Sequence, residues 1–190
     1  MKTELKAKFL QHILNKKKNE EGFTLIELLV VIIIIGILSA IALPSFLNQA
    51  NKAKQVEAKT TIGAMNRAQQ AYYLENNKFA TQDDFGKLGL GVKTQTENYE
   101  YGIRDASSTI VTNFAQLKTA LSPLKVYLGG VGVTTVESTS EATTVALLCE
   151  SELPGNNTAA KTGSESYTAT EIPVDGTATK CHDGYTSLAK

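Results

Sequence analysis

The N-terminal part of the chain changes from an apolar to an amphipathic pattern. Residues 23–43 are almost wholly apolar, and at ~1.5 Å per helical residue they are long enough to cross the ~30 Å hydrocarbon layer of a membrane as one helix. After Pro44 the apolar residues recur at helical spacings, while polar residues fill the opposite side. The pattern predicts one long helix from Phe23 to about Glu75, with an apolar first half and an amphipathic second half at 44–75.

The remainder, residues 76–190, shows strand and turn patterns. An Asn-Asn-Lys run at 76–78 ends the predicted helix, and a glycine-containing loop follows over 79–92. Apolar patterns predict strands at 98–103, 125–136 and 143–149, and a short helix at 111–121. We therefore expect an α+β fold, in which the long N-terminal helix packs against the small antiparallel sheet of a globular head.

Charge is unevenly placed along the 190 residues, although the formal net charge is zero. Residues 1–22 carry six lysines against three glutamates, and the rest of the chain has a net charge of −3. Because positively charged flanks stay on the cytoplasmic side of a membrane, we expect residues 1–22 to be cytoplasmic and everything after Leu43 to face outward. The length suits one domain with a modest core.

Two cysteines, Cys149 and Cys181, lie in the part that is expected to face outward. In an oxidising compartment an even pair indicates one disulfide, which here would close the loop 149–181. Two unrelated buried thiols are the alternative. A zinc site lacks ligands, since His182 directly follows Cys181 and the other histidine, His12, lies in the N-terminal basic segment.

Glu27 is unusual in an apolar segment, because an ionisable group at the centre of a membrane helix costs roughly 2.5 to 3.5 kcal/mol. A cut between Gly22 and Phe23 would create an α-amino group one helical turn from Glu27, on the same face. In a packed array of such helices, Glu27 would select the axial stagger that brings a partner amine to it. We interpret Glu27 as a residue that fixes the register of assembly.

The segment from Gly22 to Pro44 resembles the type IV pilins and their pseudopilin relatives. It has a short basic leader ending in glycine, then Phe-Thr-Leu-Ile-Glu, then an apolar helix with a proline near its far end. The polyisoleucine run and its polar sequel at 48–54 are similar to major pilins of the cyanobacterial sort. The resemblance implies that a membrane aspartyl prepilin peptidase cuts after Gly22 and N-methylates Phe23, and that the mature helices bundle into a filament core.

The resemblance also implies partners and a location. The chain is expected to form a homopolymer, the pilus filament, with the help of an inner-membrane assembly platform and a secretin. It would lie in the inner membrane before assembly and at the cell surface afterwards. Motility, adhesion and DNA uptake would be properties of the whole fibre, and so would any contact with nucleic acid. The resemblance favours the bridge between Cys149 and Cys181, since many pilins close a C-terminal loop in this way.

Gly36 and Pro44 are the expected weak points of the apolar helix. Glycine loosens a helix, and a proline inside a helix removes one backbone hydrogen bond. They mark either a simple kink or a site where the helix unwinds as subunits leave the bilayer.

Several other interpretations stay open. The Ala-Ile-Ala run at 40–42 imitates the cleavage site of a secretory signal, and residues 23–43 also suit a plain single-span anchor. A pseudopilin of a type II secretion system and a membrane-anchored binding domain that never polymerises are the competing functions. The sequence has no phosphate-binding loop, metal-ligand cluster or paired nucleophile and base. We therefore expect a structural protein without cofactor or metal, and no enzyme.

Overall fold

The computed structural model of the protein describes residues 4, 8–12, 22–136, 141–173 and 179–188. Most of the expected leader, residues 1–22, lies outside the described residues, and its cytoplasmic placement and its removal stay predictions. The described elements are a helix α1 (Leu25–Asn76), a 3-10 helix (Gln82–Leu88) and five strands, β1 (Tyr99–Arg104), β2 (Ile110–Leu117), β3 (Tyr127–Val136), β4 (Glu141–Ser151) and β5 (Tyr185–Ser187).

Helix α1 has 52 residues and agrees with the predicted long helix to within two residues at its start. It ends where Asn77 takes a positive φ of 53°, a conformation that asparagine tolerates better than most residues and that commonly ends helices. The chain divides into two compact units, residues 1–47 and 48–190, with the boundary inside α1.

The five strands form one antiparallel sheet in the order β1-β2-β3-β4-β5, so every strand pairs with its neighbour in sequence. The three predicted strands are present, and β5 adds a short edge strand that pairs Cys149 with Ser187. The short helix predicted at 111–121 is wrong, because residues 111–117 belong to strand β2 and residues 118–121 form a turn. Residues 110–113 of β2 are all buried, so both faces of the strand are covered. A strand of this kind lacks the alternation of apolar and polar residues by which a half-exposed strand is recognised.

The segment after α1, predicted as a loop at 79–92, contains the 3-10 helix. Thr81 and Asp84 form a reciprocal cap at its start, and Lys87 pairs with Asp84 at 2.7 Å. Phe85 is buried and anchors the turn to the head. The glycines at 86, 89 and 91 suggested irregular structure, whereas the cap and the buried Phe85 stabilise a short helix.

The second half of α1 packs on one face of the sheet. Its buried residues begin at Ala58 and continue through Ile62 and Met65, and they form the core with tyrosines and aliphatic residues, among them Tyr99, Tyr101, Val111, Tyr127 and Val131. Gly129 in β3 allows the close approach, because a Cβ there would lie 2.3 Å from Asn66 Oδ1 and 2.6 Å from Ile62 Cγ2. The predicted packing of an amphipathic helix against an antiparallel sheet is confirmed.

The C-terminal segment covers the other face of the sheet. Tyr167 and Ile172 are buried there with Leu128, Leu147 and Cys149. Glycines in β3 again leave the space, since a Cβ on Gly130 would lie 2.4 Å from Ile172 Cδ1. The sheet is therefore buried on both faces, by α1 on one side and by the C-terminal segment on the other.

Candidate functional site

The first turn of α1 is closed by a pair of side chains, Thr24 and Glu27. The backbone N–H and the hydroxyl of Thr24 both donate to Glu27 Oε2, at 2.8 Å and 2.7 Å. The N–H of Glu27 donates back to Thr24 Oγ1 at 3.3 Å. This is the reciprocal arrangement of a capping box, and it satisfies backbone donors that the first turn of a helix otherwise leaves unpaired.

This geometry leaves one carboxylate oxygen of Glu27 available. Both bonds from Thr24 end on Oε2, and Oε1 has no hydrogen-bond partner in the described part of the chain. Glu27 was predicted as a site residue and Thr24 was not, although the Thr-x-x-Glu spacing before an apolar run is the signature of this cap. Thr24 holds the carboxylate at the start of the helix, where the helix dipole favours negative charge.

Gly22 and Phe23 precede the helix and lie in no regular secondary structure. Both are exposed, and the Phe23 side chain is 88% accessible to solvent. An accessible backbone outside regular secondary structure is a preferred site of proteolysis. The cut between Gly22 and Phe23, which would fall immediately before the helix cap, stays a prediction.

The apolar half of α1 leaves its large side chains in solvent. Between Leu25 and Leu47 nearly all leucines, isoleucines and valines are roughly half exposed or more. By length and composition, this helix is apolar enough to cross a membrane. Gly36 and Pro44 both lie within α1, which continues through them, so their role as weak points stays a prediction.

The C-terminal segment is tied to the sheet by the disulfide between Cys149 and Cys181, whose Cα atoms are 5.9 Å apart. The predicted disulfide is confirmed. A second link lies beside it, where Glu171 Oε1 contacts His182 Nδ1 at 2.5 Å and Glu171 Oε2 accepts hydrogen bonds from the N–H and hydroxyl of Thr168. Burial opposes ionisation of Glu171, but the bonds from Thr168 and His182 outweigh it and lower the pKa of the carboxyl.

Among the residues that the structure describes, no three His, Cys, Asp or Glu side chains gather in a group that would hold a metal ion. The described site residues offer surfaces for contact and charge pairing, namely an exposed apolar helix with one carboxylate at its start and a cross-linked head.

Comparison with known families identifies two matching segments. Residues 55–173 match the family described as type IV pilin-like G and H. Residues 17–43 match the prokaryotic N-terminal methylation motif. The second match contains Gly22, Phe23 and Glu27, and the first begins in the amphipathic half of α1 and covers most of the head.

Individual relatives are similar over part of the chain. The type IV major pilin protein PilA of Myxococcus xanthus is 48% identical over 97 residues, which are 50% of this chain and 43% of that protein. The type IV wide pilus major component PilA4 of Thermus thermophilus is 34% identical over 91 residues, 48% of this chain and 69% of that protein. The type II secretion system core protein G of Aeromonas hydrophila is 38% identical over 68 residues, 36% of this chain and 48% of that protein.

The matched segment thus spans less than half the length of two of these relatives and about two thirds of the third. The family match covers more than half of the chain, and it agrees with the helix, sheet and methylation motif described above. The chain belongs to the type IV pilin-like G and H family.

Proposed function

We propose that the protein is a structural subunit of an extracellular type IV pilus. The observation that carries this proposal is the exposed apolar half of α1, which begins at a capped carboxylate and is joined to a folded head. Such a surface is stable in a bilayer or against copies of itself, and unstable in water. The relatives named as major pilus components in Myxococcus and Thermus support the same role.

Assembly would transfer the helix from one environment of low polarity to another. Prepilin peptidase would cut between Gly22 and Phe23 and N-methylate Phe23, which leaves a cationic amine beside the helix start. Glu27 Oε1, the oxygen not used by Thr24, would then accept a bond from the amine of a neighbouring subunit. Because a buried carboxylate without a cation is costly, only the stagger that forms this pair would be stable.

The proposed transfer from membrane to filament implies several partners. The chain would enter the inner membrane first, with residues 1–22 on the cytoplasmic side and the head outside. An assembly platform in that membrane would add subunits to the filament, and a secretin would pass the filament to the cell surface. Motility, adhesion and DNA uptake would belong to the fibre, including any contact with nucleic acid.

A second candidate is a pseudopilin of a type II secretion system. It is favoured by the relative named core protein G and by the G and H family match. The disulfide and the long C-terminal segment count against it, since many pilins close a C-terminal loop in this way and many pseudopilins lack such a bridge.

The experiment that tests the proposal is the intact mass and N-terminal sequence of protein sheared from the cell surface. A pilus subunit should be recovered in long fibres, begin at N-methylated Phe23 and be two hydrogens lighter at its cysteines. A chain that begins at Met1 or at Leu43 contradicts the proposal. A processed chain that stays with the cells, where no surface fibre contains it, supports the pseudopilin instead.

A further inference from the structure

A cleft opens in the head between the sheet and the segment that follows β4. It has a volume of about 440 Å³ and is lined by the end of β2, the β2–β3 turn, Val126 and residues 155, 157, 158 and 160–162. Two lysines belong to its lining, Lys118, which is exposed, and Lys161, which is half-buried. We call it the lysine cleft.

The lysine cleft exists because the covering segment touches the sheet at two glycines. A Cβ on Gly155 would lie 2.4 Å from Leu117 Cδ1, and a Cβ on Gly163 would lie 2.6 Å from Val126 Cγ1. Hydrogen bonds fix both ends, from Gly155 N to Leu124 O at 2.9 Å and from Arg104 to Gly163 O at 2.7 Å. Between these two contacts the segment from Gly155 to Gly163 stands away from the sheet, and the space beneath it is the lysine cleft.

The polar groups of the lysine cleft are mostly unused. In the described part of the chain, the side chains of Gln116, Lys118 and Lys161 have no hydrogen-bond or ion-pair partner. The side-chain oxygen of Asn157 accepts from Ala159 N at 2.9 Å, which leaves its NH₂ group to donate. No acidic side chain is among the lining residues, all of which the structure describes. The lining therefore contains two lysines and several neutral polar residues beside an apolar surface, and the stem of Lys161 also packs against Gly184.

We propose that the lysine cleft binds an acidic sugar, a single ring that carries a carboxylate. The carboxylate would pair with the ammonium groups of Lys118 and Lys161, because charge-assisted hydrogen bonds are the strongest polar contacts available there. Ring hydroxyls would bond to the amides of Gln116 and Asn157, and the apolar face of the ring would lie on Leu117.

The size and chemistry of the cleft select this ligand class. Its volume falls within the range of roughly 300 to 1,000 Å³ that is typical of small-molecule sites. A bare inorganic anion would leave the amides and the apolar surface without contacts, and a neutral sugar would leave both lysines unpaired. The site lies wholly within the head, so it goes beyond the role in filament assembly and is tested without filaments.

The test is isothermal titration of the full chain in a nonionic detergent with sodium D-glucuronate, D-glucose and inorganic phosphate in turn. Glucuronate should bind saturably to one site, with an affinity about tenfold or more higher than that of glucose or phosphate. A difference of this size is what one charge-assisted hydrogen bond contributes.

A double variant, Lys118→Gln with Lys161→Gln, should lose about tenfold or more of that affinity. The matched control, Lys78→Gln with Lys93→Gln, removes two exposed lysines outside the cleft and should bind like the parent.

A further variant, Ala160→Phe, fills the cleft without changing its charge and should also abolish binding, with an unchanged melting temperature to show that the head is folded. Equal binding of glucose would overturn the role of the carboxylate, and equal binding of phosphate would overturn the role of the sugar ring. Absence of saturable glucuronate binding, or full binding by the cleft double variant, would overturn the site itself.

Discussion

Asn66 of α1 and Asn113 of β2 form a direct hydrogen bond in the core, from Asn113 Nδ2 to Asn66 Oδ1 at 2.9 Å. Asn66 also donates from Nδ2 to the carbonyl of Leu147 in β4, at 2.9 Å. One helix side chain therefore links two strands of the sheet. Buried polar groups that are paired in this way fix one arrangement of the elements, because any shift leaves them without partners.

We expect Asn66→Ala to destabilise the head by about 2 to 4 kcal/mol. The substitution removes two buried hydrogen bonds and leaves the amide of Asn113 without a partner, and the Oδ1 atom of Asn113 already lacks one among the described residues. Thermal and denaturant unfolding of the full chain in detergent, followed by the near-ultraviolet signal of the tyrosines, measures the change. Asn48→Ala, an exposed change in the same helix, should leave the stability within about 0.5 kcal/mol of the parent; an equal loss in both would contradict this account.

Gly22→Ala should block processing, so that cells accumulate the unprocessed chain. The physical reason is the position of Gly22 in accessible backbone directly before Phe23, where a peptidase must fit the residue on each side of the cut. Immunoblotting and intact mass of the membrane fraction measure the outcome. Gly36→Ala is the control, since a Cβ there meets nothing within 4 Å, and it should be processed normally. Normal mature protein from Gly22→Ala would refute the cut at this position.

Glu27→Ala should abolish or slow filament formation while the chain still enters the membrane. The cause is loss of the charge that we propose to fix the register, and electron microscopy of surface fibres with fractionation of membranes measures both parts. Glu27→Gln separates charge from capping, because glutamine can accept the same bonds from Thr24. If the charge fixes the register, Glu27→Gln should fail to assemble as well. Normal fibres from Glu27→Gln would show that the cap alone suffices.

Much of this fold could be predicted from the sequence, and the exceptions have a common cause. Helix α1 was predictable because its pattern extends over many turns, and the disulfide because the chain has two cysteines in the part that is expected to face outward. Strand β2 was missed because both of its faces are covered, so burial does not alternate along it. Contacts made by distant parts of the chain decided its structure, and such contacts leave no local pattern.

The candidate sites likewise include residues that the sequence predicts and residues that it does not. Gly22, Phe23 and Glu27 stand in a local motif and could be identified from it, and Thr24 could have been, since its spacing from Glu27 is a local signal too. The lysine cleft could not be predicted. Lys118 and Lys161 are far apart in sequence, and they line one cleft only because Gly155 and Gly163 fix the covering segment on the sheet.

Cys149→Ser should lower the stability of the head by about 3 to 4 kcal/mol under oxidising conditions, from the loop-closure entropy that the bond removes from the unfolded chain. The loop spans 32 positions, and the segment that it closes contributes Tyr167 and Ile172 to the core. Melting temperatures with and without a reductant measure the effect. The reductant should lower the melting temperature of the parent and leave that of Cys149→Ser unchanged. Equal melting of parent and variant in oxidising buffer would argue against the bond.

Glu171 should make the stability of the C-terminal segment depend on pH. Its folded-state pKa is lowered from the ordinary value of 4.5, so the folded protein binds fewer protons than the unfolded chain and stability is lost as the pH falls through the lowered pKa. Glu171→Gln removes this contribution, so at pH 7 we expect the variant to be less stable by about 1 to 2 kcal/mol. The difference should shrink as the pH falls from 4.5 through the lowered pKa, because the folded parent carboxyl then becomes protonated too. Glu152→Gln, an exposed change nearby, should follow the parent at every pH; a difference for Glu171→Gln that stays constant from pH 7 to pH 3 would show that packing, and not charge, is responsible.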